Sequence, residues 1–458
     1  MIMVPVLRER ISGHRSFAAP IDRSSADPSP FLRYLRIICL MGIVILLPVD
    51  FVKLPRNTIP VDVWILLTLP VVWLLSGHGN QRMSLSYMVS IWLILLASFI
   101  SIFVAPAPMN ALIVLLKEVY IFVWFFMIAA VLCTLSARDQ RYVLLAWSGA
   151  VLAHGAIIVA QFLSPEFWRF TTSLAGSVRD YEIYRPSGLF VNANSAALFQ
   201  LLGFVPLMLV SPSARVAVIV GVLYLPSMLV TGSMGAALAL LTGVTVAMIA
   251  LSLSGHIERV ASASMQLIVA ITLLVGLLYY VTSHNPRYEV HFERIFLGRA
   301  ERSSGGRFDL WQRGFEVFLD HGAFLWGVGP ENFREVDGHG NQLHSDFMAF
   351  LVERGLIGTL GLLLFAGVAL SRAVNLIWVY NKYPARAGPE GFVFLGAVVA
   401  ALVESLTHQV FHFRELWLVL ALQEAVALKI ARSKQGVEPG RQSLFVNREV
   451  VDVTKWPG

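Results

Sequence analysis

Residues 111–135 read ALIVLLKEVYIFVWFFMIAAVLCTL. Apart from the adjacent Lys117 and Glu118 the stretch carries no charge, and neither Pro nor Gly interrupts it. It is longer than the ~20 apolar residues that a helix needs to cross a hydrocarbon core of about 30 Å. Lys117 and Glu118 read as a buried pair, or as a lysine reaching for the interface along its stem, sooner than as chemistry. Working outward, similar apolar blocks fall at about 37–52, 61–75, 87–104, 142–163, 195–210, 216–231, 234–253, 263–282, 355–378, 391–411 and 416–431. The spacing predicts an all-α, polytopic membrane protein with about 12 transmembrane helices.

The rest of the composition agrees. Of 458 residues, 57% are hydrophobic and 14% charged, with mean hydropathy +0.69. An ordinary soluble domain carries about a quarter charged residues, so a globular cytosolic enzyme and a disordered chain are both excluded. Cys39 and Cys133 each lie inside an apolar block, which leaves no disulfide framework and no cysteine metal site. No small-residue cleavage site follows the first block, so it is expected to be retained as a helix and not removed as a signal peptide.

An even number of spans puts both termini on one side, and the placement of Lys and Arg selects it. The tail before the first span carries Arg8, Arg10, Arg15, Arg23, Arg33 and Arg36. With the termini inside, eighteen basic residues lie inside and six in the short outer segments: Lys53, Arg56, Arg169, Arg179, Arg185 and Arg414. The expected layout is a cytoplasmic tail at 1–36 and nine spans over 37–282, with an outer segment at 164–193. A large outer loop at 283–345, three spans over 346–431 and a cytoplasmic tail at 432–458 complete it. The large loop holds His284, His291, His321, His339 and His344, with His408 and His412 near the outer end of the eleventh span. Ionisable chemistry is therefore concentrated at the extracytoplasmic face. Neither an internal repeat nor a P-loop, a G-x-G-x-x-G or an H-E-x-x-H is found. A substrate acted on there has to bring its own activation.

Three constellations stand at that face. Tyr184–Asn194 (YRPSGLFVNAN) opens the sixth span. Asn192 or Asn194 can cap the helix, whose positive end favours an anion, and Arg185 supplies a forked donor suited to phosphate. The plain alternative is a helix start with an interfacial arginine. Ser303–Trp311 (SSGGRFDLW) precedes Gly327–Phe333 (GVGPENF), and apolar residues Phe308, Trp311, Phe315 and Phe318 recur at helical spacing. This predicts an amphipathic helix at the interface with Arg307 at its start. A surface arginine paired with Asp309 or Glu301 is the alternative. In the third constellation, Ser345 or Asp346 is suited to cap a helix entering the tenth span, placing His344 at its positive end. A dipole so oriented keeps imidazole neutral, as a general base requires, whereas a loop histidine is otherwise simply solvated. Glu404, His408 and His412 fall on one stripe of the eleventh span, which suits helix packing or a metal pair.

Taken together these residues resemble the bacterial O-antigen ligase and polymerase superfamily of membrane glycosyltransferases. The likeness rests on Arg185-x-x-Gly188-x-Phe190-x-Asn192-x-Asn194, Arg307-x-x-x-Trp311, Gly327-x-Gly329-x-x-x-Phe333, and His344 followed by Glu353-x-Gly355-Leu356-Ile357-Gly358. The resemblance implies an enzyme of the bacterial inner membrane with its site on the periplasmic side, active in lipopolysaccharide or exopolysaccharide biosynthesis. Its donor would be a glycan on undecaprenyl pyrophosphate, its acceptor lipid A-core or another lipid-linked glycan, its surroundings membrane lipids, with no nucleic acid, cofactor or metal. It further implies Arg185 and Arg307 as pyrophosphate clamps and His344 as catalytic base in an inverting displacement, with Asn192, Asn194, Trp311, Glu353 and His408 in support. One departure is visible. Many relatives carry Ser-Arg at the start of the eighth span, where this chain has Ser233-Met234, and Arg294, Arg299, Arg302 and Arg313 are the candidate replacements. A ligase is favoured over a polymerase of repeat units. A protein oligosaccharyltransferase and a transporter or flippase without chemistry are the remaining readings.

Overall fold

The computed structural model describes residues 29–50, 59–76, 85–174, 185–210, 224–258, 298–320, 324–340, 342–384 and 387–434, with scattered helical positions between 260 and 276. In order these form α1 (Pro30–Leu46), α2 (Pro60–Leu75), α3 (Leu85–Ser101), α4 (Pro108–Thr134), α5 (Ala137–Leu163), α6 (Pro165–Leu174) and α7 (Ala193–Val210). Then come α8 (Met234–Leu253), α9 (Gly298–Asp320), α10 (Phe333–Asp337), α11 (Asp346–Lys382), α12 (Glu390–Ser405) and α13 (Arg414–Lys434). Among the described residues there is no strand. Helices α4, α5, α7, α8 and α11 are long and apolar enough to cross a membrane; α2 and Tyr87–Ser101 are apolar but shorter. Much of the expected seventh and ninth spans lies outside the described residues, so the count of twelve stays a sequence expectation.

Helix starts follow local chemistry. Proline occupies the first turn of α1, α2 and α4, where its missing N–H costs nothing. Ser136 Oγ accepts the Asp139 N–H at 3.1 Å to open α5 directly after α4. Ser345 is the N-cap of α11, its Oγ accepting from Met348 N at 3.5 Å. Helix α11 is broken at Gly355, whose φ of 63° and ψ of −164° are left-handed. The N–H groups freed just beyond the break, on Leu356 and Ile357, donate to Phe324 O and Leu325 O at 3.0 and 3.3 Å. On the outside of the bundle Leu67, Leu74, Trp92, Phe103 and Leu241 are more than half exposed, an arrangement suited to hydrocarbon and not to water.

Contacts between helix ends fall into two groups. In one, Arg33 opening α1 pairs with Asp139 opening α5 at 2.7 Å. In the same group Lys429 Nζ, late in α13, donates to Leu135 O at 2.6 Å, and Asn381 at the end of α11 donates to Ser254, beyond α8, at 2.9 Å. The other group joins Arg414 opening α13 to Asp62 opening α2 at 2.6 Å, and Asp50 N, beyond α1, to Leu189 O, before α7, at 3.2 Å. Asn332 adds the turn before α4, accepting from Ala107 N at 2.6 Å. This is the pairing of ends that an alternating antiparallel bundle produces. All three constellations fall in the second group.

Local details differ from the sequence reading. Helix α9 begins at Gly298 and runs through Gly305–Gly306, so Arg307 lies inside it and not at its start. Helix α12 ends at Ser405, and the Thr407 and His408 N–H groups fold back onto Glu404 O at 2.9 and 2.8 Å. His408 and His412 therefore sit in a turn, off the helical stripe that Glu404 occupies. Lys117 is exposed and does not pair with Glu118, which is buried against Arg354 at 2.5 Å.

Candidate active site

The first constellation is held from below. Gln161, buried near the end of α5, accepts the Ser187 and Gly188 N–H groups on Oε1 at 3.0 and 2.8 Å. Its Nε2 donates to Gly188 O at 2.9 Å and to Thr171 Oγ1 at 2.8 Å. Gly188 has φ of 62°, and a Cβ there would run into the ring of His154. Trp168 Nε1 donates to Arg185 O at 3.3 Å. With its backbone fixed, Arg185 sends Nε and Nη2 to Thr231 O at 3.0 and 2.8 Å, and Nη2 also to Asn194 Oδ1 at 3.0 Å. Asn192 directly precedes α7 and its Oδ1 accepts from Asn194 N at 2.8 Å, as a cap does. The guanidinium thus lies across the start of α7 and the turn before α8.

Arg307 comes from α9, which packs on α11 through Leu310, Phe318, Leu343 and Val352. Among the described residues Arg307 has no ion pair, with Asp309 or otherwise. Its charge acts on His344, His408 and Glu404, and the charge of Arg185 on His408. Trp311 follows one turn later, its Nε1 buried without a hydrogen-bond partner among the described residues.

His344 sits one residue before the cap of α11 with φ of 47°. Among the described residues only Glu331 is another non-glycine in that region, and such conformations persist where the surroundings enforce them. The enforcement is visible: Ser345 Oγ donates to Ser405 O at 3.2 Å, and the Asp346 carboxylate accepts from Val410 N and Phe411 N at 2.8 and 2.9 Å. The turn carrying His408 is thereby bound to the segment carrying His344. Burial by neighbouring atoms, and then the charge of Arg307, push the His344 imidazole below its ordinary range, while the residue keeps an exposed surface. Both causes favour the neutral imidazole. Glu404 Oε2 and His408 Nε2 are buried beside this group with no hydrogen-bond partner among the described residues.

Glu353 has a different position. Its carboxylate lies 3.6 Å from Arg354 Nη1, near the Glu331 and Phe333 N–H groups, and its carbonyl accepts Gly329 N at 2.9 Å. It tethers the loop between α9 and α11. Asn332 completes that tether from the α3–α4 turn, donating to Ala107 O at 3.3 Å and to Pro330 O at 2.9 Å. Sequence reasoning missed Asn332 and Gln161; a buried amide beside a glycine turn was the available signal. Of the candidate replacements for the absent arginine, Arg313 pairs with Asp337 at 3.1 Å. Arg294 and the side chains of Arg299 and Arg302 lie outside the described residues, as do His284, His291 and His321.

Residues 197–363 match the O-antigen ligase family model. The matched stretch, a little over a third of the chain, is similar to the O-antigen ligase family. That family is one of membrane glycosyltransferase-type enzymes, whose substrates are lipid-linked glycans. The matched stretch includes Arg307, Trp311, His344 and Glu353, while Arg185, Asn192 and Asn194 lie just ahead of it and His408 beyond it. No curated protein shows significant similarity to the chain.

Proposed function

We propose that the protein transfers a glycan from undecaprenyl pyrophosphate to an acceptor hydroxyl, lipid A-core in the first instance, at the periplasmic face of the bacterial inner membrane. The observation that carries this reading is convergence: Arg185, Arg307 and His344 come from three separate segments and meet at one end of the bundle. Arg185 and Arg307 bind the diphosphate and stabilise the charge that develops as it leaves, each interaction of this kind lowering the barrier by about 3 kcal/mol. His344 takes the proton from the acceptor hydroxyl, a step contributing about 10²–10⁴-fold. The acceptor oxygen bonds to the anomeric carbon from the far side, the carbon–phosphate oxygen bond breaks, and undecaprenyl pyrophosphate departs with inversion. Glu404 and His408 offer their unpartnered atoms to sugar hydroxyls. Both termini are cytoplasmic in this arrangement, which follows the distribution of Lys and Arg.

Glycan profiling of a deletion strain tests the acceptor. Long polymer stranded on the lipid carrier with bare lipid A-core is the expected result. Single repeat units on the carrier would instead make the protein a polymerase. Full transfer by a membrane-inserted His344→Ala variant would remove the base, and glycan accumulation on the cytoplasmic side alone would indicate a flippase.

A further inference from the structure

The two backbone elements that hold the Arg185 fork are its own turn at 185–188 and the turn at 231–233. Two buried polar groups lie beside them, one around Gln161 and one around Gln200; His154 of the second faces Gly188 by packing, its Nε2 without a hydrogen-bond partner among the described residues. Thr171 Oγ1 accepts from Gln161 Nε2, and Gln161 Oε1 takes the Ser187 and Gly188 N–H groups. Beneath Gly188 lies His154, whose Nδ1 is 2.9 Å from Gln200 Nε2. Gln200 Oε1 accepts from Ser227 Oγ at 3.3 Å, in the helical stretch 224–230 that leads to Thr231. Thr231 Oγ1 donates to Met228 O at 2.7 Å, and Thr231 O receives the guanidinium. Gln161, His154, Gln200, Ser227 and Thr231 are each 1% exposed or less. A buried amide in apolar surroundings is costly to leave unpaired, so hydrogen bonds of this kind define one geometry.

Among these residues Gln161 alone bonds the turn that begins at Arg185, and it does so with both halves of its amide. The Ser187 and Gly188 N–H groups would otherwise point into the bundle without acceptors. We infer that Gln161 is the positioning residue of the arginine fork: it sets where Arg185 stands for the diphosphate and does not itself touch substrate. This inference rests on the pyrophosphate reading of Arg185.

The test is a double-mutant cycle on the full-length protein in nanodiscs. An undecaprenyl-pyrophosphate-linked glycan serves as donor and purified lipid A-core as acceptor. Gln161→Leu is expected to lower kcat/KM for the donor about tenfold, with the acceptor KM unmoved. Arg185→Ala lowers it further, and adding Gln161→Leu to Arg185→Ala changes nothing more, because the amide acts through the arginine. Thr171→Val, which removes one bond from the far side of the amide, gives a smaller loss in the same direction and serves if the leucine variant does not insert. Multiplicative losses in the double variant, or an equal rise in both KM values, would overturn the inference while leaving the function standing. An Arg185→Ala variant with full transfer would instead remove the pyrophosphate reading and the inference with it.

Discussion

Arg354 and Arg307 sit on two helices that pack against each other, yet their surroundings are opposite. Arg354 is buried and paired. Its guanidinium bonds Glu118 at 2.5 Å, donates to Ser98 Oγ at 3.2 Å and lies 4.3 Å over the Phe350 ring, with the side chain 2% exposed. His412 reaches the same carboxylate at 3.6 Å. Arg307 has a charge felt by two histidines and a glutamate but no ion pair among the described residues. An arginine buried and paired in this way serves to hold helices together. One whose donors are unspent, at the mouth of the same bundle, is available to an anion from outside.

The contrast is sharpest in activity. His344→Ala and Arg307→Ala should each lower glycan transfer by about 10²–10⁴-fold while protein yield and melting temperature stay near wild type. A parallel fall in stability would erase the distinction drawn between the two arginines. Next in size, Arg354→Ala leaves the buried Glu118 without its arginine, with only Ser98 and His412 near it, and should cost about 3–5 kcal/mol of stability, measured as loss of folded protein in detergent. Replacing both partners, Glu118→Leu with Arg354→Met, should recover most of that stability, since well-packed apolar pairs substitute for buried ion pairs. If the double replacement also restores full transfer, the pair is purely structural; if transfer stays low, the pair also shapes the site.

The smallest effect concerns pH. A base held below its ordinary range is neutral, and active, above that lowered value, and is lost as pH falls through it. Removing the Arg307 charge takes away one of the two causes of the lowering. The residual activity of Arg307→Gln should therefore show its acid limb at higher pH than wild type. An unmoved limb would separate His344 from the arginine electrostatically.

Where local chemistry decides structure, the sequence was readable. Asn192 and Asn194 ahead of an apolar run, and Ser345 ahead of another, mark helix starts through hydrogen bonds made within a few residues. The bundle's apolar blocks are equally local. The partner of Glu118 was not readable, because Arg354 is 236 residues away and Lys117 stands next door. Neighbours in a helix point about 100° apart, so adjacency in sequence separated that pair instead of joining it. Arg307 inside α9 is a tertiary override: packing of Leu310 and Phe318 on α11 sustains helix through two glycines that propensity would have used as a boundary. His408 left its stripe because α12 stops one turn short, a decision made by the loop's attachment to Asp346 and not by the apolar pattern.

The break at Gly355 has an evolutionary side. Helix α11 borrows two carbonyls, from Phe324 and Leu325, to replace those it loses at the break. The loop is in effect spliced into the helix. An insertion between 324 and 333 would slide those acceptors out of register and unseat the helix itself. Changes of loop length, the usual route by which an enzyme fold acquires new substrates, are closed at this point. Divergence toward other glycans has to proceed by side-chain exchange on α9 or by remodelling segments that α11 does not depend on.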